Sequence, residues 1–193
     1  MNKPSVTIST NMSAQRVSRK FERQTVYAQG DKISAYNPSS SSTWGPKITD
    51  LVNDPVYGGN TDNQYTAEFG KHEGQYYNTQ RAKAGLDGWT TPQIYDNVGD
   101  FLGTGFTENT NVNISQSLNG VNYSFGLNNS YQNGIIPSTG MNRWGARGLV
   151  DWKINEEWNT GFSANYSSTK ITSAPGANDG IMNVVYSAPA EYD

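Results

Sequence analysis

The residues able to do chemistry are few and scattered. His72 is the only histidine; with Lys71 and Glu73 beside it in a region of turns, it reads as a surface residue. Glu68 and Glu73 are close enough in sequence to suggest a carboxylate pair for acid–base work, but no periodic element is there to hold them in reach of one another. Asp31 and the Asn178-Asp179-Gly180 turn offer oxygen ligands for a cation, and single turn acids are weak ligands. The absence of cysteine excludes thiolate metal sites and a disulfide framework. No metal, cofactor or catalytic constellation is implied, and the chain does not read as an enzyme. Asn-x-Ser triplets at Asn11, Asn113, Asn122, Asn128 and Asn165 fall inside alternating segments, so they reflect composition rather than glycan acceptors.

Aromatic side chains are the better binding candidates. Trp44, Tyr57, Tyr76, Tyr77 and Trp89 lie in one long stretch, residues 15–108, broken by Trp44-Gly45-Pro46, Asp54-Pro55, Tyr57-Gly58-Gly59-Asn60 and Asp87-Gly88. Their flat faces suit stacking on sugar rings, with packing inside the loop as the competing role. A connection this long is uncommon without a function. The density of aromatics makes it a packed loop rather than a free linker, with short strands or a helical turn expected around residues 75–84. Trp44-Gly45-Pro46 reads as a structural loop element.

Composition narrows the class. Only 34% of the 193 residues are hydrophobic and 16% are charged, with a net charge of −3; mean hydropathy is −0.71. Asn, Ser, Thr and Gly fill the difference, which suits β structure wet on one face. No Lys/Arg cluster tracks a face, so nucleic acid is not an expected partner. No apolar run nears the ~20 residues of a membrane-spanning helix. Met1-Asn2-Lys3-Pro4 runs into an alternating segment with no apolar leader, and the strand pattern favours a piece of a longer protein.

Five segments alternate with period two, near residues 5–14, 110–118, 121–132, 143–154 and 158–168. Val6, Ile8, Met12 and Ala14 oppose Ser5, Thr7 and Ser9; Val112, Ile114 and Leu118 oppose Asn111, Asn113 and Ser115. Val121, Tyr123, Phe125, Leu127 and Tyr131 oppose Asn122, Ser124 and Asn128. Trp144, Ala146, Val150, Trp152 and Ile154 oppose Arg143, Arg147, Asp151 and Lys153, with Leu149 breaking the pattern. Trp158, Phe162, Ala164 and Tyr166 oppose Asn159, Ser163 and Asn165. Asn119-Gly120 is a type I′ hairpin signal, since that turn needs positive φ twice.

These lengths approach the ~9–11 residues that cross a bilayer at a tilt, and aromatics mark both ends of the apolar stripe, as in membrane barrels. Short turns at Asn119-Gly120 and at residues 155–157 alternate with longer connections at 15–108, 133–142 and beyond 169, the asymmetry of outer-membrane barrels. The fold class predicted is all-β, an antiparallel transmembrane β-barrel segment with one long extracellular loop. Arg143, Arg147, Asp151 and Lys153 are then lumen-facing. A β-rich carbohydrate-binding or adhesin module, soluble and with the same faces closed into a core, is the alternative.

Several stretches resemble the SusC/RagA-type TonB-dependent transporters of Bacteroidetes-like bacteria. Lys3-Pro4-Ser5-Val6-Thr7 is similar to that family's first barrel strand after the plug, and Thr43-Trp44-Gly45-Pro46-Lys47 to its first extracellular loop. Asp100-Phe101-Leu102-Gly103-Thr104-Gly105 followed by Asn111-Val112-Asn113-Ile114-Ser115 resembles the approach to its second strand. Gln132-Asn133-Gly134-Ile135-Ile136-Pro137 with Arg143 resembles its next outer loop, where the family often has an acid in place of Asn133. The resemblance implies a barrel of about 22 strands in the outer membrane, of which this chain supplies about five without the plug domain. It further implies import of an oligosaccharide or peptide substrate, energised through TonB, with a SusD-like surface lipoprotein as partner and outer-membrane lipid around the wall.

Overall fold

The computed structural model describes residues 3–176 and 180–192. In chain order the elements are β1 (Ser5–Gln15), a 3₁₀ turn (Ile48–Asn53), α1 (Gln64–Phe69), β2 (Tyr76–Tyr77), α2 (Thr79–Lys83), β3 (Trp89–Thr90), α3 (Asn97–Phe101), β4 (Gly105–Leu118), β5 (Val121–Asn133), β6 (Gly140–Lys153), β7 (Asn159–Thr172) and α4 (Ile181–Ser187). The structure is mostly β with antiparallel sheets, 41% strand against 16% helix. It divides into two compact units, Met1–Arg19 with Phe101–Gly180 and Lys20–Asp100 with Ile181–Asp193.

The first unit is a five-stranded antiparallel sheet in the order β1-β4-β5-β6-β7. All five predicted strands are present, and three extend well past the predicted ends: β4 begins at Gly105, β6 at Gly140, and β7 runs to Thr172. Four of the five have 13 or 14 residues, far beyond the usual ~5–6. The Asn119-Gly120 hairpin has φ of 51° and 79° at its two turn residues, the double positive φ of type I′. Between β6 and β7, Asn155 Oδ1 accepts from the N–H groups of Glu157 (2.9 Å) and Trp158 (2.7 Å), which fixes the second short turn. Both short turns close one end of the sheet. The residues 134–139 connection leaves from the other end, where Gln15 pairs with Gly105 and Gly140 with Thr172. The sheet is open. No described strand pairs with the outer edge of β1 or of β7, and no closed barrel is formed.

The second unit corrects the expectation of one long loop over residues 15–108. Most of that stretch folds with a core of its own, built from Ala28, Tyr36, Ile48, Leu51, Tyr76 and Ala190. β2 and α2 occupy the region expected to hold a short strand or helical turn. Asp54, itself buried, organises the turn after the 3₁₀ segment: Oδ1 accepts from the N–H groups of Val56 and Tyr57 (2.9 Å each), and Oδ2 from Tyr36 N–H (3.0 Å). Asn63 and Thr66 cap the start of α1 reciprocally, each side chain accepting from the other's backbone N–H. A Cβ on Gly59 would stand 2.0 Å from the carbonyl oxygen of His72, so the Gly58-Gly59 pair lets two backbone segments touch.

The carboxy-terminal residues complete this core. Tyr95 N–H donates to the Ala190 carbonyl (2.8 Å), Asn97 Nδ2 to the Pro189 carbonyl (3.0 Å), and Gln29 N–H to Glu191 Oε1 (2.6 Å). Lys20 and Asp96, near the two ends of the 20–100 segment, form an ion pair.

Candidate functional site

Residues paired across neighbouring strands share a face, so the register converts the alternation into rows. Ile8, Val112, Leu127, Ala146 and Tyr166 make one row; Val6, Ile114, Phe125, Gly148 and Ala164 make the next. Gln116, Tyr123, Val150 and Phe162 follow, then Leu118, Val121, Trp152 and Thr160. Toward the other end come Thr10, Thr110, Asn129, Trp144 and Ser168, then Met12, Glu108, Tyr131, Asn142 and Lys170. The five strands therefore carry one uncharged face, mainly apolar in the rows from Leu118 to Ile8, with Trp144 as the apolar member of the row of Thr10, Thr110, Asn129 and Ser168, before the row of Glu108 and Lys170.

That face is uncovered. Phe162 is 71% exposed, Ile8 68% and Trp144 56%, and among the described residues every buried hydrophobic one lies in the second unit. At about 4.8 Å per strand and 3.4 Å per residue, the four mainly apolar rows from Leu118 to Val112 outline on the order of 500 Å². Surface patches on ordinary monomers rarely exceed a few hundred Å².

The opposite face is hydroxyl and amide. Ser130 Oγ donates to Asn109 Oδ1 (2.7 Å) and Ser124 Oγ to Asn113 Oδ1 (3.0 Å), bonds that tie β4 to β5 along the wet side. Arg143, Arg147, Asp151 and Lys153 all sit on this face, Arg143 Nε reaching Ser167 Oγ at 3.3 Å. None of the four forms an ion pair among the described residues. Leu149 is on this face too, in the row of Ser5, Ser115, Ser124 and Ser163.

The five aromatic binding candidates separate. Tyr76 is fully buried and Trp89 is 7% exposed, so neither offers a free ring face. Tyr57 and Tyr77 are half-buried in a stack that runs Tyr57–Tyr65–Tyr77–Phe69, with centroid spacings of 5.6, 4.2 and 5.7 Å. Tyr36 meets Tyr57 and Tyr76 edge-on at 5.4 and 5.6 Å. These four residues pack the second unit. Trp44 alone stands out, 63% exposed beside Tyr27 at 6.2 Å, on a backbone fixed by Trp44 N–H to Gly30 O (2.9 Å) and Ala28 N–H to Pro46 O (2.8 Å).

His72 is not a plain surface residue: its ring stacks on Trp89 at 4.3 Å and its Nδ1 lies 3.1 Å from Gln75 Oε1. Glu68 and Glu73 are both exposed. Asp31 accepts from Ser40 Oγ (2.7 Å). Asn178 and Asp179 lie outside the described residues. Among the described residues no three or more His, Cys, Asp or Glu gather as for a metal ion, and no helix is long and apolar enough to cross a membrane.

Two buried acids, Asp54 and Glu191, give no sign of their burial in the sequence. Glu191 is 3% exposed, its Oε2 has no hydrogen-bond partner among the described residues, and burial pushes its carboxyl above the usual glutamate range. Burial likewise raises the phenols of Tyr36, Tyr76 and Tyr192 around it. Nothing local in Ala190-Glu191-Tyr192 signals this, because the burial comes from residues more than 90 positions away in sequence.

A scan of protein-family models and a search of curated proteins both find no match to the chain.

Proposed function

We propose that the sheet of β1 and β4–β7 is part of the wall of an outer-membrane transporter barrel of the TonB-dependent, SusC-like kind, importing an oligosaccharide or peptide. The observation that carries this reading is the uncovered apolar face backed by a face of amides, hydroxyls and arginines. The height of its uncharged span, which includes the row of Thr110 and Trp144, suits a bilayer. From the row of Trp152 to the row of Glu108 and Lys170 is ten residues along β4, about 34 Å. A strand tilt of about 40° projects that onto roughly 26 Å, against the ~25 Å apolar band of outer-membrane barrels. Trp152 and Trp158 then mark one interface, and Trp144 and Tyr131 the other.

In this reading Arg143, Arg147, Asp151 and Lys153 face the lumen. The unpaired edges of β1 and β7 continue into further strands, since five strands cannot close a ring and an open edge in lipid leaves backbone groups unsatisfied. A plug, TonB and a SusD-like surface lipoprotein belong to the assembled machine. Trp44 is the aromatic side chain best placed for substrate.

Site-directed spin labelling tests the wall, and the cysteine-free sequence makes every label single. Labels replacing Ile114, Leu127, Val150 and Phe162 in bilayers are expected to collide with dissolved oxygen. Labels replacing Ser115, Asn128 and Ser163 are expected to collide with a water-soluble nickel chelate. Water contact at all seven positions would overturn the reading, and shielding of the first four from both oxygen and the chelate would favour a carbohydrate-binding module with that face closed into a core.

A further inference from the structure

The row that ends the apolar face holds both of that face's charges, Glu108 on β4 and Lys170 on β7. They stand three strands apart, about 14 Å, beyond a Debye length at physiological ionic strength and too far for an ion pair. Lys170 has no acidic partner among the described residues. The next charged side chain along that end of the sheet, Arg143, projects to the opposite face. Beside Lys170 lies a hollow of about 260 Å³, lined among others by Tyr131, Asn142, Thr139 and Thr172.

The hollow offers donors. Asn142 Oδ1 already accepts from Asn129 Nδ2 (3.0 Å), which leaves the Asn142 amide N–H groups for another partner. The Tyr131 and Thr172 hydroxyls and the Lys170 ammonium add to them. Directly inward is Trp144, the aromatic residue of the preceding row. An ammonium, an amide and hydroxyls just beyond an interfacial tryptophan form a donor cluster at headgroup depth.

We propose that this hollow binds the phosphate of an anionic lipid, held by Lys170 and Asn142 with Tyr131 and Thr172 alongside. The proposal rests on the membrane-wall reading above. It assigns the rim a chemical preference that a bare apolar belt lacks, and it anchors the wall at a fixed depth.

Electron spin resonance with spin-labelled lipids separates the two levels. The chain, within the closed barrel of which it is read as part, is reconstituted in vesicles carrying spin-labelled phosphatidylglycerol or spin-labelled phosphatidylcholine, and the motionally restricted fraction is compared. Phosphatidylglycerol is expected to be preferred. Lys170→Gln is expected to reduce that preference about fivefold, the factor one lysine supplies near an anionic surface. Lys170→Arg is expected to keep it. A restricted fraction with no preference, or a preference that Lys170→Gln leaves intact, overturns the phosphate site while the wall stands. No restricted fraction with either lipid overturns the wall itself. Inorganic phosphate in phosphatidylcholine vesicles, followed by phosphorus NMR, is expected to show no Lys170-dependent broadening; broadening that Lys170→Gln removes would assign the hollow to a soluble anion instead.

Discussion

Gln29 and Glu191 are joined by a 2.6 Å hydrogen bond from the backbone N–H of one to the carboxylate of the other, across 162 positions of sequence. Glu191 is thereby a core residue of the second unit. Glu191→Ala leaves the Gln29 N–H without its acceptor and is expected to cost about 1–3 kcal/mol. Thermal melts followed by near-ultraviolet circular dichroism measure this.

The same carboxyl makes the second unit's stability depend on pH. Burial raises its folded pKa above the unfolded value, so the folded state holds the proton more tightly. The associated stability is fully present below the unfolded pKa of about 4.3 and is lost as pH rises through the raised folded pKa. Glu191→Gln is expected to flatten that part of the pH profile. A wild-type profile with no decline in that window would refute the assignment.

Asp54 is sensitive to a nearly isosteric change. Both carboxylate oxygens accept backbone N–H groups, so Asp54→Asn must turn an NH₂ group toward the N–H of Tyr36 or toward those of Val56 and Tyr57. Bonds to a charged acceptor contribute about 1.5–3 kcal/mol each, and loss of at least one is expected. Amide exchange at Tyr36 reads it locally.

The two faces of the sheet should respond oppositely to the same side chain. Leu127→Arg places a cation mid-band and is expected to cost about 2–4 kcal/mol of folding stability in lipid. Asn111→Arg, on the amide face, is expected to cost little. Denaturant titrations in vesicles compare them, and equal costs would count against a lipid-facing band.

Gly120 has φ of 79°, and a Cβ there would lie 3.2 Å from the Lys153 carbonyl oxygen. Gly120→Ala is expected to cost roughly 1–2 kcal/mol through left-handed strain. Faster amide exchange at the turn end of β4 and β5 would report it.

The strand faces were legible because one side of each strand is large and the other small, a pattern independent of what covers it. The missed ends have a specific cause. β4 was expected from Thr110 and β7 only to Ser168, and the extensions carry Glu108 and Lys170 on the apolar face, where each breaks the alternation. The second unit was far less legible. Its core joins Ala28, Tyr36, Leu51, Tyr76 and Ala190 without periodicity, and its ring stack draws on Tyr65 and Phe69, whose four-residue spacing on α1 was the available signal. For Tyr76 and Trp89 the sequence leaves both roles open, stacking on a ligand and packing inside the loop, because burial by distant chain leaves no local mark.

The ion pair between Lys20 and Asp96 bears on how β1 reaches β4. Gln15 and Gly105 are about 90 residues apart, and closing a flexible loop of that length is slow and entropically costly. With the second unit folded, Lys20 and Asp96 lie together near the ends of the intervening segment, an exposed pair that adds at most about 1 kcal/mol to a juxtaposition set by the unit's core. β1 is therefore expected to attach after its neighbour in sequence has folded, whereas β4 to β7 pair through connections of two to six residues.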